Sequence, residues 1–233
     1  ISESYLLLDA IEQKLSRGED ILSLAGTFRS EYQEVGELSL SGMGMRHFVS
    51  DAGYEGDTVY FLEDSGAWYT YTVVRPTIYD GKKRQGTFLE APWGLPCNLS
   101  RMAVSRIVLK GGKANAEHRL SSTSKASAEL LGESNVGSLI ISDSIYDDFA
   151  KLWEAFSLRL GALGTAEGEL DTASEVDKLF LVRPSQIYDM HYDETSQRLI
   201  FYLEDKLGRS LRAQLTYSKE EAAAIKSLER LKR

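Results

Sequence analysis

Residues able to do chemistry are sparse in this chain, and few stand at the spacing that chemistry needs. Ser122-Thr123-Ser124-Lys125 has the Ser-x-x-Lys spacing, in which a helix sets a lysine base one turn above a serine nucleophile. No helical pattern begins at Ser122, and neither Lys-Thr-Gly nor Ser-Asp-Asn follows it, so in a Ser-rich stretch the match points to no family. Cys97 is the single cysteine and precedes a short helical pattern at 99–104. A thiol at a helix N-terminus can be held as a thiolate and attack a carbonyl. The same residue alone in a chain commonly serves as a small buried apolar group. One cysteine excludes an intramolecular disulfide framework and any multi-cysteine zinc or iron–sulfur site. His47, His118 and His191 are separated by 71 and 73 residues, with no ligand-spaced pair, so no metal and no cofactor is expected. The carboxylate pairs Glu63/Asp64 and Glu204/Asp205 fall at hairpin tips, where nothing raises the pKa of a general acid; they read as turn chemistry. Gly-x-Ser-x-Gly, phosphate-loop, dinucleotide and His-Glu-x-x-His patterns do not occur.

Charge is more informative than any motif. The 233 residues carry a formal charge of −8, which argues against broad binding to nucleic acid or anionic membranes. Partitioned, residues 1–74 hold 4 basic and 13 acidic side chains, residues 75–128 hold 10 and 3, and residues 129–233 hold 13 and 19. The basic middle includes Lys82, Lys83, Arg84, Arg101, Arg106, Lys110, Lys113, Arg119 and Lys125. Trp93 lies within it and Trp68, Tyr69 and Tyr71 lie just upstream. Aromatic rings beside a basic groove are the equipment of single-strand nucleic-acid binders, and Gly111-Gly112 could bring backbone amides to a phosphate. The competing reading pairs these cations with the two acidic flanks, which would hold the chain together.

Stepping outward, these residues must be positioned by a chain of ordinary globular composition, 42% apolar and 27% charged. Leu7, Leu8, Ile11 and Leu15, then Ile21, Leu24, Ala25, Phe28 and Tyr32, predict an N-terminal helical pair over residues 1–35. From residue 37 the pattern alternates, interrupted by Gly42 and Gly44, which mark a bulge or bend. Thr58–Leu62 and Trp68–Val74, joined across Glu63-Asp64-Ser65-Gly66, predict a hairpin. Residues 76–99, with Pro92-Trp93-Gly94-Leu95-Pro96, read as a long loop with a functional or packing role. Strands are expected near 106–109 and after Gly111-Gly112, with 121–128 an edge strand or a loop. Ser144 with Asp147 predicts the start of a helix carrying Phe149, Leu152, Trp153, Phe156 and Leu160. A polar linker over 161–177 leads to strands at 179–182, 187–191, 199–203 and 210–217, and then a final helix opened by Ser218 with Glu221.

The expected fold is therefore α+β: N-terminal helices, a central antiparallel β region with OB-like strand order, and a C-terminal helix–sheet–helix. The expected units are residues 1–35, 36–135 and 136–233. The expected function is a non-catalytic binding or regulatory module working through a protein partner or sibling domain, in the cytoplasm, without a membrane segment and as one part of a larger polypeptide. The alternative is binding of single-stranded nucleic acid or a phosphate ligand through residues 75–128. A hydrolase-type enzyme using Cys97 or Ser122 is the third reading.

Overall fold

The computed structural model describes residues 31–50, 52–77, 89–135, 137, 145–162, 174–218 and 221–230. The α+β expectation is overturned: the chain is mostly β, with 48% of residues in strands and 17% in helices, arranged in several antiparallel sheets rather than one OB-like barrel. The N-terminal helical pair falls outside the described residues up to residue 30. Where the description begins, the chain is extended and not helical. Gln33–Glu34 form strand β1, which pairs with β6 (Lys113–Ala114), and the Val35 N–H donates to the Gly112 carbonyl at 3.0 Å. Val35 packs against the main core, so burial there goes to a strand edge rather than a helix face.

The largest sheet has five strands: β2 (Leu38–Ser50), β3 (Tyr54–Glu63), β4 (Trp68–Pro76), β5 (Ser105–Lys110) and β7 (Ser127–Glu133). They run in the order β4-β3-β2-β5-β7, every pair antiparallel. The hairpin between β3 and β4 turns over residues 64–67, where Gly66 takes φ +95°. The register of β2 shifts between Gly42 and Gly44, so the interrupted alternation is a bulge. Gly42 is required there by close approach, since an added Cβ would lie 2.6 Å from the Ala103 carbonyl carbon and oxygen. Both sheet edges are partly covered, as an exposed edge invites pairing with another chain. Thr70 of β4 exchanges backbone hydrogen bonds with His118 and Leu120 (3.1 and 2.7 Å), and Ala128 of β7 donates to the Trp93 carbonyl at 2.9 Å.

One face of this sheet is the main core. Leu40, Val59, Phe61, Tyr71, Ile107 and Leu109 pack against Trp93, Leu95, Leu99, Met102 and Ala103. The proline-rich loop thus supplies the lid of the core, together with the short helix α1 (Leu99–Met102), whose N-cap Asn98 accepts from Arg101 N–H. Each such side chain contributes roughly 1.5–3 kcal/mol on burial.

The remaining described chain is smaller. After β8 (Ile145–Tyr146) comes helix α2 (Phe149–Ala162), and then a 3-10 turn over Glu175–Lys178. Next follow β9 (Leu181–Val182), the meander β10 (Gln186–Asp193), β11 (Arg198–Glu204) and β12 (Ser210–Thr216), and helix α3 (Ala222–Arg230). Alternation in β11 sends Leu199, Phe201 and Leu203 to one face. Phe149 and Leu152 of α2 pack at one end of that face and Ile225 and Leu228 of α3 at the other, with Phe201 shared. Helix α2 is opened by Asp148, whose carboxylate accepts from Ala150 N–H at 2.8 Å. The expected opener, Ser144, lies outside the described residues. Asp205 ties the β11–β12 turn to α2. It accepts from the Phe149, Leu207 and Arg209 backbone N–H groups at 2.9 Å each and from Arg209 Nε at 2.8 Å. It is 1% exposed, which corrects the reading of Glu204/Asp205 as a solvated turn tip. Its counterpart Asp64 behaves as expected of a tip: it is exposed and pairs with Arg106.

Candidate functional site

Of the basic block, Lys82, Lys83 and Arg84 lie outside the described residues. Four of the others are engaged by carboxylates. Arg101 Nη1 donates to Glu133 at 2.8 Å, Arg106 Nη2 to Asp64 at 2.6 Å, Lys110 stands 3.3 Å from Glu37 and Lys113 4.0 Å from Glu34. Exposed pairs like these contribute only about 0–1 kcal/mol each. Their consequence here is electrostatic: they cancel the local positive field over much of the segment. Lys125 is exposed in a turn. Trp93 is 6% exposed, donates its indole N–H to the Ser121 carbonyl at 2.8 Å, and meets Tyr71 edge-on at 5.1 Å. It is core, not a platform for a base. Among the described residues of the block, Arg119 lines a cleft and the others are not gathered with it into a common groove.

The nucleophile candidates are not activated. Cys97 is half-buried; burial pushes its thiol up, and the neighbouring Arg101 opposes this only in part. Ser122 and Lys125 are exposed in an irregular segment closed by the Ala126 N–H to Thr123 carbonyl bond, so no helix sets the lysine over the serine. The three histidines stand apart, and among the described residues no group of three or more His, Cys, Asp or Glu side chains could hold a metal ion.

Two histidines are nonetheless carefully held. His47 of β2 is 3.0 Å from Asp57 of β3, which also accepts from Arg75 Nη1 of β4 at 2.9 Å, while Arg75 Nε reaches Glu55 at 2.8 Å. This cross-strand cluster closes one end of the core face, and Asp57 is 1% exposed. His118 has φ +56°, a left-handed conformation that costs a non-glycine residue about 1 kcal/mol or more. Its ring stacks on Tyr69 (centroids 4.9 Å, 16°), and its Nδ1 lies 2.9 Å from the Trp68 carbonyl. A carbonyl only accepts, so Nδ1 carries the hydrogen of this bond. His118 borders two open clefts, of about 560 and 400 Å³. The larger is lined by Glu31, Glu34, Glu117 and Tyr69, and among the described residues no Ser, Thr, Cys or Lys borders it. Among the described residues it offers no partner for nucleophilic catalysis.

A third cleft, of about 250 Å³, lies on the outer face of the five-stranded sheet. Period-two alternation sends Met45 and His47 to the core face and Arg46 and Phe48 outward, with Thr58 and Tyr60 of β3 and Thr72 and Val74 of β4 beside them. Phe48 rests on Gly56, its cross-strand partner; a Cβ there would be 2.5 Å from the ring. Thr58 and Thr72 hydroxyls bond to each other at 3.1 Å. Arg119 enters from beyond β4, where it bridges to Thr70. The 3-10 turn supplies Glu175, which accepts a hydrogen bond from the Tyr60 hydroxyl. Burial pushes the Tyr60 phenol up, and the Glu175 hydrogen bond and charge add to this, against a smaller opposing effect of Arg46. The phenol therefore stays a donor at any physiological pH.

Sequence reasoning passed over Arg46, Phe48, Tyr60 and Glu175. The signal for the first three was present, because alternation through β2 and β3 puts them on one face. Glu175 had none, lying in a polar stretch 115 residues from its partner. The chain matches no family model, no curated protein and no solved structure. Among the described residues no helix is long and apolar enough to cross a membrane.

Proposed function

We propose that the chain is a non-catalytic binding and regulatory module that acts through protein contacts. The observation that carries this reading is an aromatic run leading from the second core to the surface on α2. Tyr146 meets Phe180 at 5.9 Å, Phe180 meets Phe156 at 6.0 Å, and Phe156 stacks with Trp153 at 5.5 Å. Arg159 lies over the Phe180 ring at 4.3 Å. Trp153, at the end of the run, is 67% exposed. A rigid aromatic side chain standing out of a packed cluster is the kind of group that anchors protein interfaces, because little side-chain entropy remains to be lost. The unactivated Cys97 and Ser122 and the ion pairs of Arg101, Arg106, Lys110 and Lys113 support the same reading. A contact of this type is apolar and resists salt.

The test is saturable retention of a polypeptide from the source cells on the immobilised chain, at low and at high salt. The wild-type chain retains it at both. Trp153→Glu loses it while keeping the wild-type circular dichroism and melting temperature. Retention that the variant leaves intact, or no saturable partner at either salt, rejects the reading.

A further inference from the structure

We propose that the outer-face cleft of β2, β3 and β4 binds a nucleoside phosphate, free or as one residue of a single strand, and that Glu175 is its internal competitor. The cleft has the three parts such a ligand needs. Phe48, whose ring tip rests over the bare backbone of Gly56, is a ring backed by the sheet on the wall of the cleft. The hydroxyls of Thr58 and Thr72 form the floor. Only one hydrogen is used in their mutual bond, which leaves a donor and acceptor lone pairs for a base edge. Arg46 and Arg119 approach from opposite sides of the cleft, from β2 and from beyond β4, both exposed, and among the described residues neither is paired with a carboxylate.

Glu175 identifies the anion position. Its carboxylate enters a cleft bordered by two guanidinium groups and bonds to the Tyr60 hydroxyl, as a phosphate oxygen would. It is itself exposed and is carried on a single 3-10 turn, so displacing it breaks little structure. A ligand that takes its place removes the bond by which this turn holds β3. Occupancy of the cleft is thereby coupled to how the 3-10 turn lies against the large sheet, which gives the module something to regulate. The inference does not depend on the Trp153 contact, which lies on α2.

The experiment measures fluorescence anisotropy of a short fluorescein-labelled oligothymidylate with the full chain, in competition with thymidine monophosphate. The expected result is saturable binding that weakens with salt. Glu175→Gln, which removes the competing charge, tightens it about tenfold, and Arg46→Ala and Arg119→Ala each weaken it about tenfold. Phe48→Leu keeps the apolar bulk without the stack and costs about fivefold or more. Trp153→Glu leaves it unchanged. Full competition by the monophosphate identifies a single-nucleotide ligand, and failure of that competition identifies a strand. The proposal is overturned if Glu175→Gln shows no saturable binding at low salt, or if the arginine substitutions leave the affinity unchanged.

Discussion

Gly56→Ala separates the packing of the outer face from its chemistry. The new methyl would lie 2.5 Å from the Val73 carbonyl oxygen and 2.5 Å from Phe48 Cζ, where ordinary contact begins at 3.4 Å. The ring can swing away at small cost, being the far end of a side chain. The carbonyl cannot, because it belongs to the β3–β4 ladder in which Gly56 faces Val74. Relief requires the strands to part locally by about 0.9 Å, the difference between 3.4 and 2.5 Å. Overpacking of this kind costs about 1–3 kcal/mol. Losing the backbone freedom of glycine in the unfolded chain returns about 0.4–1 kcal/mol. A net destabilisation of about 1–2 kcal/mol follows, which lowers the melting temperature by roughly 2–8 °C in a chain of this size. Thermal unfolding by circular dichroism reads it directly. If the carbonyl is the obstacle, adding Phe48→Ala does not rescue the variant, and the two changes add within about 0.5 kcal/mol. An unchanged melting temperature, or full rescue by Phe48→Ala, would refute the reasoning.

Asp205 gives a pH dependence. Burial pushes its carboxyl up from 3.8, but the Phe149, Arg209 and Leu207 N–H groups and the Arg209 guanidinium outweigh burial and hold it at about 2. Because the folded value lies below the unfolded one, its stabilisation is present above about pH 4 and is lost as pH falls towards about 2. Asp205→Asn should therefore be less stable at neutral pH yet lose less between pH 4 and 2; parallel acid profiles would contradict this. Asp57→Ala removes the carboxylate that His47 and Arg75 share and should cost about 3 kcal/mol in urea unfolding, the low end for breaking a buried pair. A loss under about 1 kcal/mol would mean that the cluster contributes little. Native Cys97 should react with iodoacetamide more slowly than a free thiol at pH 7, since burial disfavours its thiolate; faster reaction would reinstate it as a nucleophile.

What was legible in the sequence was local. The β3–β4 hairpin announces itself through Thr, Val and Tyr on either side of a glycine turn, and both turn and strands are encoded within twenty residues. The bulge at Gly42 to Gly44 is legible for the same reason. The strand content was underestimated where strands are half-exposed. Residues 121–128 read as an edge strand or a loop, whereas the strand is Ser127–Glu133, whose inward Ala128 and Leu130 pack on the main core. Two Glu-Asp pairs looked alike as turn tips. Only the approach of α2, 56 residues away, buries Asp205 and leaves Asp64 in solvent. Likewise the basic segment could be counted, but its partners could not. Arg106 meets Asp64 across 42 residues, and Arg101 meets Glu133 across 32.

Counting charge along the chain also misplaces the remaining cations. Residues 75–128 carry the excess of basic side chains, but strand pairing sets Glu34, Glu37 and Asp64 against Lys113, Lys110 and Arg106, so the acidic N-terminal part neutralises much of it. Among the described residues, Arg119, from the basic segment, and Arg46, from the most acidic one, line the outer-face cleft without an ion pair to a carboxylate. Block averages discount Arg46 because its sequence neighbours are acidic. A sheet does not keep those neighbours: alternation turns His47 inward to Asp57 and Arg46 outward, and the bridge at Thr70 brings Arg119 to the same face. A local positive field on an acidic protein thus needs no basic stretch of sequence. It needs arginines that strand pairing brings to one cleft, as it brings Arg46 of β2 and Arg119 beside β4 to the outer face of this sheet.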